Sequence, residues 1–111
     1  MYKVVMLENY LDSQKEEIYE KEYETLEAAE EAYAGLFGQA KKLILEVLKL
    51  MLELDKAQAP VMQQIIDIVK DIELNEEIEL NNRDGRFLFI EKNCIEFSLA
   101  GKHIIAKIVK I

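Results

Sequence analysis

The longest periodic segment of the chain is an apolar series that runs from residue 29 to residue 54. Its members are Ala29, Tyr33, Leu36, Ala40, Leu43, Val47, Leu50 and Leu54. The steps alternate between four and three residues, and this spacing is typical of a helix that packs along another helix. It predicts one long helix from about residue 26 to residue 55, which would be about 45 Å long at ~1.5 Å per residue.

The predicted long helix has a wide apolar face. A second apolar row beside the first comprises Phe37, Ile44, Leu48 and Met51. We expect one row to contact the chain's own second helix and sheet, and the other to contact a second copy. A compact globule of this length has a radius of gyration of only ~13 Å, which favours self-association. At Gly35 and Gly38 the unbroken register favours close backbone approach over a break in the helix.

The chain is acidic, and its charge is unevenly distributed. Its 111 residues carry a formal net charge of −8 and include a single cysteine, Cys94. Residues 1–34 hold three lysines against ten acidic residues, whereas residues 92–111 hold four lysines against one. Free nucleic acid is not an expected partner, because phosphate contacts need a basic surface. The lone cysteine fits a reducing cytoplasm, and neither a signal peptide nor a membrane span is predicted.

The whole chain, residues 1–111, is predicted to form a single α+β domain. The expected N-terminal β-hairpin comprises Tyr2–Tyr10, a turn at residues 12–15 and Glu16–Glu24. Thr25 is predicted to cap the long helix, and Pro60 to begin a second helix that ends near residue 72. From residue 76 onward, apolar and polar residues alternate, and this pattern predicts a C-terminal antiparallel four-stranded meander. Its strands are Glu76–Leu80, Arg86–Glu91, Cys94–Leu99 and His103–Ile111.

Two tight loops set the expected register of the meander. If Lys92-Asn93 and Ala100-Gly101 are two-residue hairpin loops, one face of the sheet carries the core. The predicted core pairs are Ile90 with Ile95, Leu88 with Phe97, Phe97 with Ile104 and Ile95 with Ala106. The opposite face exposes aromatic and polar side chains together and is a candidate contact surface. That face comprises Phe87, Phe89, Glu96, Ser98, His103, Ile105, Lys107 and Val109.

No catalytic or metal site is predicted. Ser98 is expected opposite His103, with Glu96 two residues along, but a nucleophilic serine also needs an oxyanion hole. The backbone amides of a serine in mid-strand are committed to the sheet. One histidine and one cysteine do not make a typical zinc site, and the sequence has no glycine-rich phosphate loop. We therefore expect no enzyme activity, no cofactor and no bound metal.

The two arginines of the chain flank the predicted loop Asn81–Gly85. In the simpler interpretation the polar residues make a turn and the arginines keep it solvated. In the alternative the loop borders a pocket for a phosphorylated ligand, because a planar guanidinium suits phosphate and stacks on bases. The candidate ligand residues are Arg83 and Arg86 for charge, Phe87 or Phe89 for stacking, Asn93 for polar recognition, and the tip Gly101-Lys102-His103 from a neighbouring copy.

The N-terminal segments and the order of elements carry a family resemblance. The opening Tyr2-Lys3-Val4-Val5-Met6, followed by Glu22-Tyr23-Glu24-Thr25-Leu26-Glu27-Ala28-Ala29-Glu30, looks like many small phage proteins that begin with a hairpin feeding a helix. The order of hairpin, two helices and terminal meander is similar to the Thoeris anti-defence sponges of phages. Those proteins form oligomers and sequester cyclic ADP-ribose-type signals, and some hold cyclic oligonucleotides, without cleaving them. The resemblance implies non-enzymatic capture of a nucleotide signal in the host cytoplasm, and no ligand residue is carried over from it.

Three functions follow from the sequence. The first is an oligomeric sponge that binds a cyclic nucleotide, as the resemblance implies. The second is an acidic inhibitor, for example an anti-CRISPR, that docks on a basic nucleic-acid channel. Its support is the set of acidic residues Glu16, Glu17, Glu20, Glu22, Glu24, Glu27, Glu30 and Glu31, although exposed glutamates are usually only a solvated face. The third is a structural or assembly protein of a phage.

Overall fold

Six strands and two helices form a two-layer α+β fold in the computed structural model, which describes residues 1–10 and 15–111. The elements are β1 Tyr2–Tyr10, β2 Lys15–Tyr23, α1 Leu26–Leu54, α2 Ala59–Asp71, β3 Ile78–Asn82, β4 Gly85–Glu91, β5 Cys94–Leu99 and β6 Lys102–Lys110. A short 3-10 turn, Lys56–Gln58, links the helices. The predicted turn at residues 12–15 lies outside the described residues except for Lys15, which begins β2.

The six strands form one antiparallel sheet in the order β2-β1-β6-β5-β4-β3. The predicted hairpin and meander are both present, and they are joined because β1 pairs with β6. This pairing runs from Tyr2 opposite Lys110 to Tyr10 opposite Lys102. The last strand therefore lies inside the sheet beside the first. The four core pairs predicted for the meander are confirmed.

Local signals set the ends of the helices. Thr25 has extended backbone angles, and its side-chain oxygen accepts a hydrogen bond from the Ala28 N–H at 3.2 Å, which makes it the predicted N-cap of α1. The chain's one proline lies in the first turn of α2, as predicted. The Lys41 ammonium donates to the carbonyl oxygens of Lys70 and Ile72 at 2.7 and 2.8 Å. Lys41 thereby ties α1 to the C-terminal end of α2.

Both helices pack on the same face of the sheet and enclose one apolar core. The buried members contributed by the helices are Ala29, Tyr33, Phe37, Ala40, Ile44, Leu48, Ile66 and Val69, and those contributed by the sheet include Val4, Met6, Leu88, Ile90, Ile95, Phe97, Ile104 and Ala106. Three members of the second apolar row of α1 are therefore in the core. None of the described elements covers the opposite face of the sheet, which we call the outer face.

The other apolar row of α1 is only partly buried along its C-terminal part. We define the flank row as Leu36, Leu43, Val47, Leu50 and Leu54. The first three are half-buried, whereas Leu50 is 50% exposed and Leu54 is 78% exposed. The exposure of the flank row thus rises toward the C-terminal end of the helix.

Two expectations about α1 need correction. The molecule is elongated, with extents of 49 × 30 × 21 Å, so the helix fits along the longest axis of one copy. Its length alone therefore does not require self-association. The helix runs unbroken through Gly35 and Gly38, but a Cβ added at either glycine would meet no other group within 4 Å. The close backbone approach expected at these glycines is absent among residues 1–10 and 15–111.

Candidate functional site

A β-bulge opens the sheet at one end of the meander. Leu80 pairs with Leu88, but the next residue of β3, Asn81, pairs with Arg86, so Phe87 is the extra residue of β4. Bulges bend a strand and increase its twist. The pairing of β4 with β5 also ends at Leu88, although β4 begins three residues earlier and β5 continues for two more. The ends of β4 and β5 therefore diverge.

A cleft with a volume of about 420 Å³ lies between the diverging strand ends. Its lining includes Asn82, Asp84, Arg86, Ser98, Lys102 and His103. The volume falls within the ~300–1,000 Å³ typical of small-molecule sites. Because the loops that follow β3 and β5 lie at the same end of an antiparallel sheet, a single chain supplies both walls.

The structure brings together five of the eight predicted ligand residues. Those that line the cleft are Arg86, Phe87, Gly101, Lys102 and His103. The hairpin tip expected from a neighbouring copy is thus contributed by the same chain. Phe87 was expected to be exposed, but it is only 6% exposed because the bulge folds it into the molecule. Its edge forms an apolar part of the cleft wall.

The other three predicted residues lie outside the cleft lining. Arg83 is exposed in the tight turn between β3 and β4. Asn93 occupies the loop between β4 and β5, at the opposite end of the sheet. There its N–H donates to Asn75 Oδ1 at 3.1 Å, and its carbonyl accepts from the Ile108 N–H at 3.0 Å. Phe89 is half-buried on the outer face, and the structure does not bring Asn93 together with the arginines.

Phe89 and Glu79 hold the Arg86 side chain beside the cleft. The Arg86 Cζ atom lies 4.1 Å from the centroid of the Phe89 ring, and its Nη1 atom lies 3.7 Å from Glu79 Oε1. Both members of this ion pair are about half exposed, so the pair is weak. An anionic ligand can therefore draw the guanidinium away from Glu79 at little cost.

Ser98, His103 and Glu96 lie close together, but they do not form the hydrogen bonds of a catalytic triad. Ser98 pairs with His103 across β5 and β6, as predicted. The His103 Nε2 atom lies 3.8 Å from Glu96 Oε1, and it is buried without a hydrogen-bond partner in the described part of the chain. Ser98 therefore does not donate to Nε2. The Nε2 atom is thus an unsatisfied polar group with no exposed surface in this structure.

The two turns that border the cleft have specific local geometry. The Asn82 side-chain oxygen accepts a hydrogen bond from the Asp84 N–H at 2.9 Å, which closes the turn after β3. Ala100 and Gly101 both have positive φ angles, of 54° and 78°, as a type I′ hairpin turn requires. At Ala100 this conformation costs about 1 kcal/mol, and strain of this kind concentrates at functional sites.

Four exposed acidic side chains lie along β2 and the start of α1, at the opposite edge of the sheet from the arginine loop. They are Glu20, Glu22, Glu24 and Glu27. Lys3 forms an ion pair with Glu20 across β1 and β2, and this hydrogen bond and charge raise the pKa of Lys3. None of these four acidic side chains lines the cleft.

Comparisons with protein-family models, with curated proteins and with solved structures found no match to this chain. Over residues 1–10 and 15–111, no helix is long and apolar enough to cross a membrane. In the same residues, no group of three or more His, Cys, Asp or Glu side chains is placed to hold a metal ion. The residues of the cleft are therefore the basis for a functional proposal.

Proposed function

We propose that this protein is a non-enzymatic phage-type protein of the host cytoplasm that binds and sequesters a cyclic nucleotide immune signal. The ligand would be of the cyclic ADP-ribose type or a cyclic oligonucleotide, and its capture would counter host defence. The observation that carries the proposal is the cleft between the diverging strands, where Arg86, Lys102 and His103 line one space.

The charge of the cleft suits a phosphorylated ligand. Arg86 and Lys102 place two cations at one site on a chain whose net charge is −8. A guanidinium can bind phosphate with two parallel hydrogen bonds, and these charge-assisted bonds are among the strongest that proteins make. Both cations can therefore contribute to the binding of a phosphate group.

The other lining groups suit the sugar and base of a nucleotide. Asp84 and Asn82 offer oxygen acceptors to ribose hydroxyls, and Ser98 offers a hydroxyl that both donates and accepts. Phe87, which lines the cleft, supplies an apolar contact for a base. Capture requires tight binding and no bond cleavage, so Ser98 and His103 need not act as nucleophile and base.

Thermal unfolding with and without ligand tests the proposal. The probes are cyclic ADP-ribose isomers and cyclic di- and trinucleotides, each added to the wild-type protein. A ligand present at a hundred times its dissociation constant stabilises the folded state by about 2.7 kcal/mol. For a domain of this size that corresponds to roughly 10 °C in Tm.

Two arginine substitutions provide a matched pair for this experiment. Arg86→Ala removes a cation of the cleft, and we expect it to abolish the ligand-induced shift in Tm. Arg83→Ala removes the same charge from the neighbouring turn outside the cleft lining, and we expect most of the shift to remain. No shift with any probe would contradict the proposal. A shift that only Arg83→Ala removes would place the binding site outside the cleft.

A further inference from the structure

An aromatic ring outside the cleft supports an arginine that lines it. The Arg86 Cζ atom lies over the Phe89 ring, 4.1 Å from the ring centroid. Its Nη1 atom lies 3.7 Å from Glu79 Oε1, which is longer than the ~2.7–3.2 Å of a hydrogen bond. Stacking uses the face of the guanidinium, and the ion pair is too long to use an edge. Neither contact therefore occupies an N–H donor of Arg86.

Phe89 is held from both sides by the sheet. It lies in β4, where it pairs with Glu79 of β3 and with Glu96 of β5. Its side chain is half-buried on the outer face. A side chain that projects from paired strands is held more precisely than one on a loop. The ring is therefore a fixed platform, whereas at Arg86 the pairing of β4 with β5 has already ended.

This platform stands directly behind the wall of the cleft. Arg86, Phe89 and Ser98 border one gap with a volume of only about 10 Å³. Arg86 and Ser98 also line the cleft, but Phe89 does not. The gap is about large enough for a single water molecule and for nothing larger. A ligand in the cleft can therefore contact Arg86 but not the ring behind it.

We infer that Phe89 is a positioning residue, whose ring holds the Arg86 guanidinium at the cleft with its N–H donors available to an anionic group of the ligand. The inference rests on the proposed function and adds a residue that the cleft lining does not include. A free arginine side chain has many rotamers, and ordering it on binding weakens affinity. A guanidinium that is already stacked loses less freedom when it binds phosphate. Phe89 thus stacks on Arg86, whereas the sequence predicted that it would stack on the ligand.

Two carboxylates flank Phe89 and contact different groups. Glu79 is an ion-pair partner of Arg86. Glu96 lies on the other side of Phe89, and its Oε1 atom is 3.8 Å from His103 Nε2 instead. An anion in the cleft must therefore compete with Glu79 for the guanidinium, but not with Glu96. Both glutamates lie directly opposite Phe89 in the sheet and carry the same charge, so they form a matched pair.

Nuclear magnetic resonance of the ligand-free protein tests the position of the guanidinium. The ring current of Phe89 displaces the side-chain Nε–H signal of a guanidinium stacked above it, and a nitrogen-15 label makes that signal observable. Phe89→Leu removes the ring, and we expect the Arg86 Nε–H signal to move toward that of the exposed Arg83. Phe89→Tyr keeps a ring and should leave the Arg86 signal close to its wild-type position. Circular dichroism checks that both variants are folded.

Titration with inorganic pyrophosphate at low salt tests the effect on binding, with the Gly101 amide signal as the readout. We expect Phe89→Leu to raise the dissociation constant about two- to fivefold, because the guanidinium must then be ordered on binding. Phe89→Tyr should bind about as tightly as the wild type. Glu79→Gln should lower the dissociation constant about twofold, because the competing charge is gone, and Glu96→Gln should change it less. A purely structural defect would not make binding tighter.

The results separate the inference from the proposed function. If Phe89→Leu binds pyrophosphate as tightly as the wild type while Arg86→Ala does not bind it, the inference is overturned and the proposed function stands. Equal tightening in Glu79→Gln and Glu96→Gln would overturn the competition at Arg86, since only net charge would then matter. If the wild type binds no pyrophosphate, the proposed phosphate site is contradicted. The ligand-free spectra still decide the inference in that case, because an Arg86 signal unchanged in Phe89→Leu overturns it.

Discussion

The two faces of the sheet carry some of the same residue types but bury them to different degrees. Ile104 and Ile105 are neighbours in β6, but Ile104 is 1% exposed beneath the helices and Ile105 is half-buried on the outer face. The covered face is continuous and apolar, whereas the outer face ends in diverging strands and a polar cleft. Apolar burial is therefore concentrated on one face, and the other face carries the polar groups of the cleft.

The largest effect is expected from truncating the two neighbouring isoleucines. Ile104→Ala leaves a cavity in the core and should lower the free energy of unfolding by about 3 kcal/mol. Ile105→Ala removes the same atoms from the outer face and should lower it by about 1 kcal/mol or less. Urea denaturation measures both. Equal losses would mean that the outer face is also covered, for example by a second copy.

An intermediate effect is expected at Tyr33, which places a hydroxyl in the covered face. This side chain is 1% exposed and stacks on Phe37, and its hydroxyl has no hydrogen-bond partner among the residues that the structure describes. Removing an unsatisfied buried hydroxyl should stabilise the protein, so Tyr33→Phe is expected to raise the free energy of unfolding by about 1 kcal/mol. A loss of stability in urea denaturation would show that the hydroxyl has a partner such as a buried water.

Alkaline pH extends the test of Tyr33. Burial raises the pKa of Tyr33 above its ordinary value of 10, and the nearby Cys94 adds to this effect. The folded state therefore holds the phenolic proton after the unfolded state has lost it. The stability linked to this group is present below pH 10 and decreases as the pH rises above it. Tyr33→Phe should show a smaller loss over that range.

The smallest effects are expected at glycines on the solvent side of α1. A Cβ at Gly35 or Gly38 meets open space, so alanine at either position should stabilise the helix by about 0.8 kcal/mol. Gly101→Ala is the matched control, because its φ angle of 78° disfavours a Cβ and should make the substitution destabilising. Thermal denaturation would contradict this if Gly35→Ala also lowered Tm, since a hidden contact would then be implied.

Much of the fold follows from local signals in the sequence. The bounds of β1 and β5 agree with the prediction. Helix α1 begins at Leu26, directly after Thr25, which is the predicted N-cap. The pairs of the meander were predicted correctly because two-residue loops leave only one register. The pairing of β1 with β6 was not predicted. It joins residues about a hundred positions apart, and no local pattern records such a contact.

The candidate site was only partly predictable for related reasons. The loop residues indicated that Arg86 and the hairpin tip at Gly101 belong to a polar surface. The cleft that they line together depends on the bulge at Phe87, which the sequence did not predict. One inserted residue buries that ring, and alternation alone had placed it on the exposed face. Asn93 was grouped with the arginines by composition, although successive loops of a meander lie at opposite ends of the sheet.

Nuclear magnetic resonance with a nitrogen-15-labelled protein tests the central claim most directly. The probe is whichever cyclic ADP-ribose isomer or cyclic oligonucleotide gives the largest shift in Tm. The account predicts that the backbone amide signals of Gly85, Arg86, Gly101 and Lys102 change on titration, while those of Asn93 at the other end of the sheet do not. Changes centred on Asn93, or no change with any probe, would contradict the account.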